Sequence, residues 1–347
     1  MTTTKRPGFT LADGATVAPM ALGAMIMGTR TPEEDATKIL DHFVGEIASK
    51  FDGAKAMIDT ADCYCWWNVQ GEPGGHSEAV LARWFEASGK RDDVYLATKG
   101  TATISDLDQA WGDDGNPNWE IASKLFVGAS PEALDSSLAG SLERLKQDAV
   151  DLYYIHVDDR SVPLEKTLAT LAAFVDQGKI GAYGWSNVPT WRLAQIEVLC
   201  EQNGWPKPVA VQQQHSYLRP RPSHASNSIV SHEQLDYLSE TPDLTLVAYS
   251  PVAQGLFADL DRRKDHWMMD RFQHEDSIER FAAVDAMAKT TGATANQVVL
   301  AWMMAQESPR VLPLIGARTW DQYLESVEAV DVTLTADQVA ELSDAGV

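Results

Sequence analysis

The sequence predicts an α/β chain folded as a (β/α)8 barrel of the TIM type, one domain over residues 1–347, with long loops at the C-terminal face of its strands. Three observations predict it. Eight short apolar runs alternate with longer stretches of helical periodicity, the order that repeated βα units produce. Successive runs end in ionisable side chains, as barrel strands do where they carry chemistry. A length of 347 residues with 44% hydrophobic content suits one such barrel and supplies its core.

The elements follow in order. After an opening turn at Ala12, Asp13 and Gly14, strands are expected at residues 20–23, 56–59, 94–98, 152–156, 180–184, 209–212, 244–248 and 311–314. Between them, SPEALDSSLAGSLERLK reads as a helix capped by Ser130 ahead of Pro131, with Leu134, Leu138, Leu142 and Leu145 on one face. SHEQLDYLSE opens the same way, with Ser231 placed to cap. Two connections exceed plain links. Residues 100–129 are rich in Gly and Asp, carry Trp111 and Trp119, and read as an irregular lid over an active site. Residues 254–277 carry Arg262, Arg263, Lys264, His266, Trp267 and Arg271, a basic cluster in an acidic chain.

Chemistry concentrates where the strands end. The run AMIDTA ends in Asp59, with Tyr64 five positions on; the next run reaches Lys99 and the one after it His156. A phenol titrates near ~10 and releases its proton poorly at neutral pH unless a cation stabilises the phenolate. Lys99 supplies that cation, and Asp59 is its natural partner because an unpaired buried charge is costly. His156 then donates to the same substrate oxygen, which receives hydride from a cofactor and a proton from Tyr64. The chemistry implied is carbonyl reduction.

In DTADCY, in LATKG at 96–100 and in VDLYYIH at 150–156, in this order, the chain resembles the aldo-keto reductase family. That resemblance implies that Tyr64 is the general acid, that Lys99 and Asp59 tune it, and that His156 orients the carbonyl. It also implies NADPH as cofactor, with Ser186, Asn187 and Gln212 holding the nicotinamide and a ring-stacking position at His215, where the family usually has a larger aromatic. The stretch YSPVAQGLF, with Tyr249, Ser250, Pro251, Gln254 and Gly255, resembles the family's loop over the pyrophosphate, and Arg263 with Lys264 is placed to neutralise phosphates. In LPLIGARTWDQYLES, Gly316 turns into a helix start where, by the same resemblance, Arg318 is expected to meet the adenosine 2′-phosphate; Gln322 and Glu325 match the family's adenine-side positions, while Ser326 stands where the family has Asn. The substrate pocket is expected from Met25, Met27, Trp66, Trp67 and Trp119, with at least one of Trp66 and Trp67 facing the substrate. The alternative function is a nucleotide-binding redox sensor or regulatory subunit with little turnover.

Composition excludes other classes. With 50 acidic against 28 basic residues, a formal charge of −22 disfavours nucleic acid and anionic membrane as partners. Cys63, Cys65 and Cys200 are too few for a disulfide scaffold and lack a second cluster at ligand spacing, so a reducing, cytoplasmic setting and no metal are expected. No apolar run has the length of a membrane span. The expected partner is a small carbonyl compound; the sequence leaves its identity, the physiological direction and the oligomeric state open.

Overall fold

Strands β1 (Ala21–Gly23), β2 (Ala56–Asp59), β3 (Val94–Gly100), β4 (Val150–Ile155), β5 (Ile180–Ser186), β6 (Ala210–Gln214), β7 (Thr245–Tyr249) and β8 (Val311–Ile315) close into a parallel barrel in the computed structural model. The structure describes residues 5–258 and 260–346. Residues 1–4, 259 and 347 lie outside that description, as do the side chains of residues 260 and 262, so Arg262 of the basic cluster is outside the described residues. The register runs without a break: Leu22 pairs with Ile58, Ile58 with Leu96, Ala97 with Leu152, Tyr154 with Gly184 and Gly184 with Ala210. Gln212 then pairs with Val247, Val247 with Leu312, and Leu314 with Ala21 closes the ring. Each strand lies within two residues of its expected position. β3, β5 and β6 each run two residues further at their carboxyl ends, because ladder hydrogen bonds continue through the polar residues that end an apolar run.

Strand residues alternate between two cores, which is why the runs read as apolar throughout. Tyr95, Ala97, Leu152, Tyr154, Val247 and Leu312 fill the barrel, while Val94, Leu96, Tyr153 and Ile155 pack outward against helices. An antiparallel hairpin, Phe9–Thr10 against Thr16–Val17, closes the amino end and adds Phe9, Leu11 and Val17 to the inner core.

The outer layer comprises α1 (Glu33–His42), α2 (His76–Ser88), α3 (Pro131–Leu145), α4 (Leu164–Asp176), α5 (Thr190–Asn203), α6 (His232–Ser239), α7 (Glu275–Thr291), α8 (Ala295–Met304), α9 (Trp320–Val327) and α10 (Ala336–Asp344). The Ser130 hydroxyl accepts from the Ala133 N–H at 3.2 Å and that of Ser231 from Gln234 N–H at 3.1 Å, so both expected caps form. α5 starts after Pro189 with no side-chain cap, which leaves Ser186 and Asn187 free of capping duty. Among the described residues no helix is long and apolar enough to cross a membrane.

Residues 100–129, expected as a lid, are more ordered than their composition suggests. They carry two single-turn helices, Leu107–Ala110 and Trp119–Ala122, and Ile104 pairs with Phe126 and Trp111 with Pro117. Asp106 and Asn118 cap the two turns, so the polar residues that read as irregular loop are helix caps.

Candidate active site

Asp59 ends β2, Lys99 lies next to last in β3, and His156 follows β4, so three adjacent strands deliver three of the four groups to one rim. The fourth comes from the loop after β2. That loop keeps pairing with β3 through Thr60 N–H to Ala97 O (2.9 Å) and Asp62 N–H to Lys99 O (3.1 Å), then turns at Cys65, whose φ is 77°. Gly74, at φ 101°, packs so tightly on this turn that a Cβ there would stand 2.6 Å from the Cys63 carbonyl. Tyr64 is thereby delivered to Lys99.

Lys99 Nζ donates to the Asp59 carboxylate, to the Thr60 carbonyl at 2.8 Å and to the Tyr64 oxygen at 2.8 Å. Three acceptors use all three N–H groups of an ammonium. The Tyr64 oxygen is therefore an acceptor here, and its own hydrogen is left for another partner. Gln212 Nε2 donates to the second Asp59 oxygen at 2.8 Å, so the carboxylate is satisfied on both sides. His156 stands edge-on to Tyr64, with ring centres 5.6 Å apart.

Burial dominates the electrostatics. It pushes the Tyr64 phenol well above its usual range, and the Asp59 charge adds to the shift, so the resting site holds a protonated tyrosine and not the acidified phenol expected from the sequence. Burial, then the Lys99 charge, holds His156 well below the usual histidine range and keeps the imidazole neutral. Burial raises the Asp59 carboxyl, against the pull of Lys99 and Gln212. Beneath the site, Glu78 accepts from Thr98 at 2.6 Å and from Arg144 at 2.7 Å; burial and then Glu78 push Asp62 up to about 7.

A cleft of about 1040 Å³ opens above the quartet. Its walls include Asp59, Tyr64 and His156, with Ser186, Asn187 and Gln212 on one side and Tyr249, Ser250, Pro251, Gln254 and Gly255 on another. Gly316, Arg318, Gln322 and Glu325 line its far end, and Met25, Trp66, Trp67 and Trp119 its mouth. Trp66 is buried and meets Trp67, Trp111 and Trp119 edge-on at 6.1, 6.3 and 5.2 Å, while Trp67 also reaches Tyr64 at 6.1 Å. Ser250, Ala253 and Gln254 all take left-handed backbone, strain typical of a ligand clamp. Lys99 is reached from the cleft through Tyr64, and Met27 is buried.

Two expected cofactor residues stand otherwise. Arg263 borders the cleft, but its guanidinium is buried against both Asp285 oxygens (2.7 and 2.8 Å) and the carbonyls of Leu256 and Phe257. Its charge is neutralised within the fold and four of its five N–H groups are committed there, so it braces the loop; Lys264 is exposed and does not line the cleft. His215 lies beyond the end of β6 and packs beside Trp302, ring centres 6.5 Å apart, outside the cleft lining. The aromatic ring on that side of the cleft is Tyr249, whose hydroxyl donates to Asn187 Oδ1 at 2.9 Å.

Other lining residues were not singled out as site residues from the sequence. Cys63 lines the cleft and places Sγ 3.5 Å from His156 Nδ1. Arg30 borders the mouth, and among the described residues neither it nor Arg318 has a carboxylate within ion-pair distance. Asn296, from α8, donates to Glu325 at 3.2 Å and keeps its carbonyl oxygen unpaired. Only the acidic background hinted at Arg30; nothing local marked Asn296.

The family model for the aldo/keto reductase family matches residues 19–346. The chain is 28% identical to the uncharacterized oxidoreductase YrpG of Bacillus subtilis, over 95% of this chain and 93% of that protein. It is 25% identical to aryl-alcohol dehydrogenase GME11368 of Pestalotiopsis microspora (94% and 78% covered) and 26% identical to norsolorinic acid reductase stcV of Emericella nidulans (95% and 79%). A Klebsiella pneumoniae aldo/keto reductase, solved with NADP and acetate, superposes with a TM-score of 0.66 at 21% identity, covering 97% of this chain and 94% of that one. The barrel, the convergent quartet and the match over nearly the whole chain lead to one assignment: the chain belongs to the aldo/keto reductase family.

Proposed function

We propose that this protein, working as a single soluble barrel domain in the cytoplasm, reduces the carbonyl of a planar aromatic aldehyde or ketone with NADPH, and that Tyr64 delivers the proton. The observation that carries the reading is the Lys99 hydrogen bond to the Tyr64 oxygen, which leaves the phenol proton free to leave toward the cleft. A raised pKa is no obstacle, since an alkoxide forming on the substrate is a stronger base than a phenolate. As the proton leaves, Lys99 stabilises the phenolate at 2.8 Å. His156, neutral and with Nδ1 facing Cys63, offers Nε2–H to the same carbonyl oxygen.

The remaining polar atoms fit a nicotinamide. Asn187 Nδ2 donates to His156 O (2.8 Å) and Ser186 Oγ (3.1 Å), its Oδ1 already accepts from the Tyr249 hydroxyl on one lone pair, and Gln212 Nε2 donates to Asp59, which leaves the second lone pair of Asn187 Oδ1, Gln212 Oε1 and the Ser186 hydroxyl hydrogen for a ligand. Two acceptors and one donor suit the NH2 and C=O of a carboxamide. NADPH held there supplies the hydride. The Tyr249 ring gives it a stacking face, residues 250–255 its pyrophosphate loop, and Arg318 at the α9 start the charge for a 2′-phosphate. Gln322 and Glu325 stand on the adenine side, where Asn296 supplies an amide that Ser326 does not.

Trp66, Trp67, Trp119 and Met25 make flat apolar walls around the carbonyl position, which favours aryl substrates; the names of two relatives, an aryl-alcohol dehydrogenase and norsolorinic acid reductase, point the same way. The test is NADPH consumption over matched aryl and straight-chain aldehydes. The expected result is a kcat/KM at least about tenfold higher for the aryl series, roughly what 1–3 kcal/mol of apolar discrimination gives. Equal values reject the substrate class, and tight NADPH binding without turnover across the panel favours the sensor alternative.

A further inference from the structure

On the side of His156 away from the carbonyl lies a group of atoms that the reduction does not use. Cys63 Sγ stands 3.5 Å from His156 Nδ1, and one Asp62 carboxylate oxygen completes a set in which all three atoms lie within 4.8 Å of one another. Metal–sulfur and metal–nitrogen bonds of about 2.3 and 2.0 Å, at a tetrahedral angle, put the two ligand atoms about 3.5 Å apart. Two of the ligands thus already hold the spacing that a shared ion imposes. The third has capacity to spare: Asp62 is 4% exposed, Oδ2 accepts from Thr103 at 2.8 Å, and Oδ1 has no hydrogen-bond partner. Cys63 and His156 line the cleft, so an ion entering by the mouth reaches both. The sequence hid the set because Cys63 and His156 lie 93 positions apart, far from any ligand spacing.

We propose that Asp62, Cys63 and His156 form a binding site for a thiophilic divalent cation of the zinc class, and that filling it switches the reductase off. On binding, the Cys63 S–H bond breaks and its proton goes to solvent, as does any proton the Asp62 carboxyl carries. A sulfur–metal bond forms, the Nδ1 lone pair and an Asp62 oxygen coordinate, and the fourth position takes water. No electron changes hands. A 2+ ion with a thiolate and a carboxylate is neutral overall, which limits the repulsion from Lys99. Inhibition follows from position: the Cys63–His156 spacing already fits the ion, but drawing the Asp62 oxygen onto it pulls the loop in which Cys63 adjoins Tyr64, so Tyr64 shifts from the carbonyl; a displacement of about 1 Å at such a group costs on the order of 10²-fold in rate.

Binding is read without turnover, and only the inhibitory half rests on the function proposed above. The full chain in metal-free buffer is titrated with Cd2+, watched through the thiolate–cadmium charge-transfer absorbance, and with Zn2+ by equilibrium dialysis. The expected result is one ion per chain, retained in Cys200→Ala, lost in Cys63→Ala and weakened at least about tenfold in Asp62→Asn. Retention of zinc by a folded Cys63→Ala, or no binding to the native chain at millimolar metal, overturns the site. Should Cys63→Ala fail to fold, Cys63→Ser, which keeps the volume but has no thiolate, makes the same test through loss of the cadmium band. In the activity arm, Zn2+ suppresses NADPH-dependent reduction and a chelator restores it; bound zinc with unchanged turnover overturns the inhibition. Absent turnover with and without metal, beside intact zinc binding, counts against the reductase reading and leaves the site standing.

Discussion

Two buried tyrosines stand at opposite ends of this barrel, and they differ in the sign of their partner. At the floor, Tyr95 donates to Asp13 Oδ2 at 2.6 Å; at the mouth, Tyr64 accepts from Lys99 at 2.8 Å. Burial pushes both phenols upward, so acidity at rest does not separate them. The hydrogen does. Tyr95 has committed its proton to a carboxylate and cannot offer it elsewhere, whereas Tyr64 has its oxygen held by an ammonium and its proton uncommitted. The proposed role of Tyr64 as general acid rests on that difference: the neighbouring charge must be the donor for the phenol to keep its proton free.

The largest effect should come from removing that donor. Lys99→Met leaves Asp59 buried at 1% exposure with only Gln212 and no counter-ion. Breaking a buried pair on one side costs about 3–5 kcal/mol, to be read from denaturant unfolding. Turnover should also vanish. Adding Asp59→Asn should recover most of the stability and none of the rate; rate returning with stability would mean that Lys99 only holds the fold.

Tyr64→Phe comes next. Removal of the acid should lower kcat by about 10³-fold with NADPH affinity, followed by cofactor fluorescence, within about threefold of native. An unchanged kcat would move the proton donor elsewhere and dissolve the contrast with Tyr95. Tyr95→Phe is the matched control. Turnover should stay within about twofold, and stability should fall by about 1–2 kcal/mol, the lower end if water replaces the phenol on Asp13, which is exposed.

How much of this was legible in the sequence follows from where the interactions lie. Asp59, Lys99 and His156 were readable because each ends an apolar run, and strand ends are where barrel chemistry collects. The lid helices were hidden because their caps, Asp106 and Asn118, look like loop residues until a turn forms on them. Arg263 read as a phosphate ligand because its charge is local information, while Asp285, which neutralises it, lies 22 positions on in another helix. The Tyr95–Asp13 pair spans 82 positions and carries no motif, so the barrel's second charge-paired tyrosine was invisible until the hairpin folded beneath it. The direction of the Tyr64 shift was misjudged for a related reason: the cation was apparent, but the desolvation that outweighs it depends on packing.

The smallest effect asks whether His215 belongs with the chemistry at the mouth or with the packing behind it. Burial first, then Arg280 and Arg219, holds its imidazole down to about 4 from an ordinary 6.5. A histidine lowered in the folded state stays neutral there while the unfolded chain takes up a proton, so its contribution is complete above pH 6.5 and is lost as pH falls from 6.5 toward 4. Full burial would remove about 2 kcal/mol between pH 7 and pH 5; the ring is half-buried, so about 1 kcal/mol is expected. His215→Phe should therefore flatten the thermal-stability profile across that window while leaving KM for NADPH unchanged at pH 7. A raised KM with the pH slope intact would return His215 to the nicotinamide and displace Tyr249 from the stacking face.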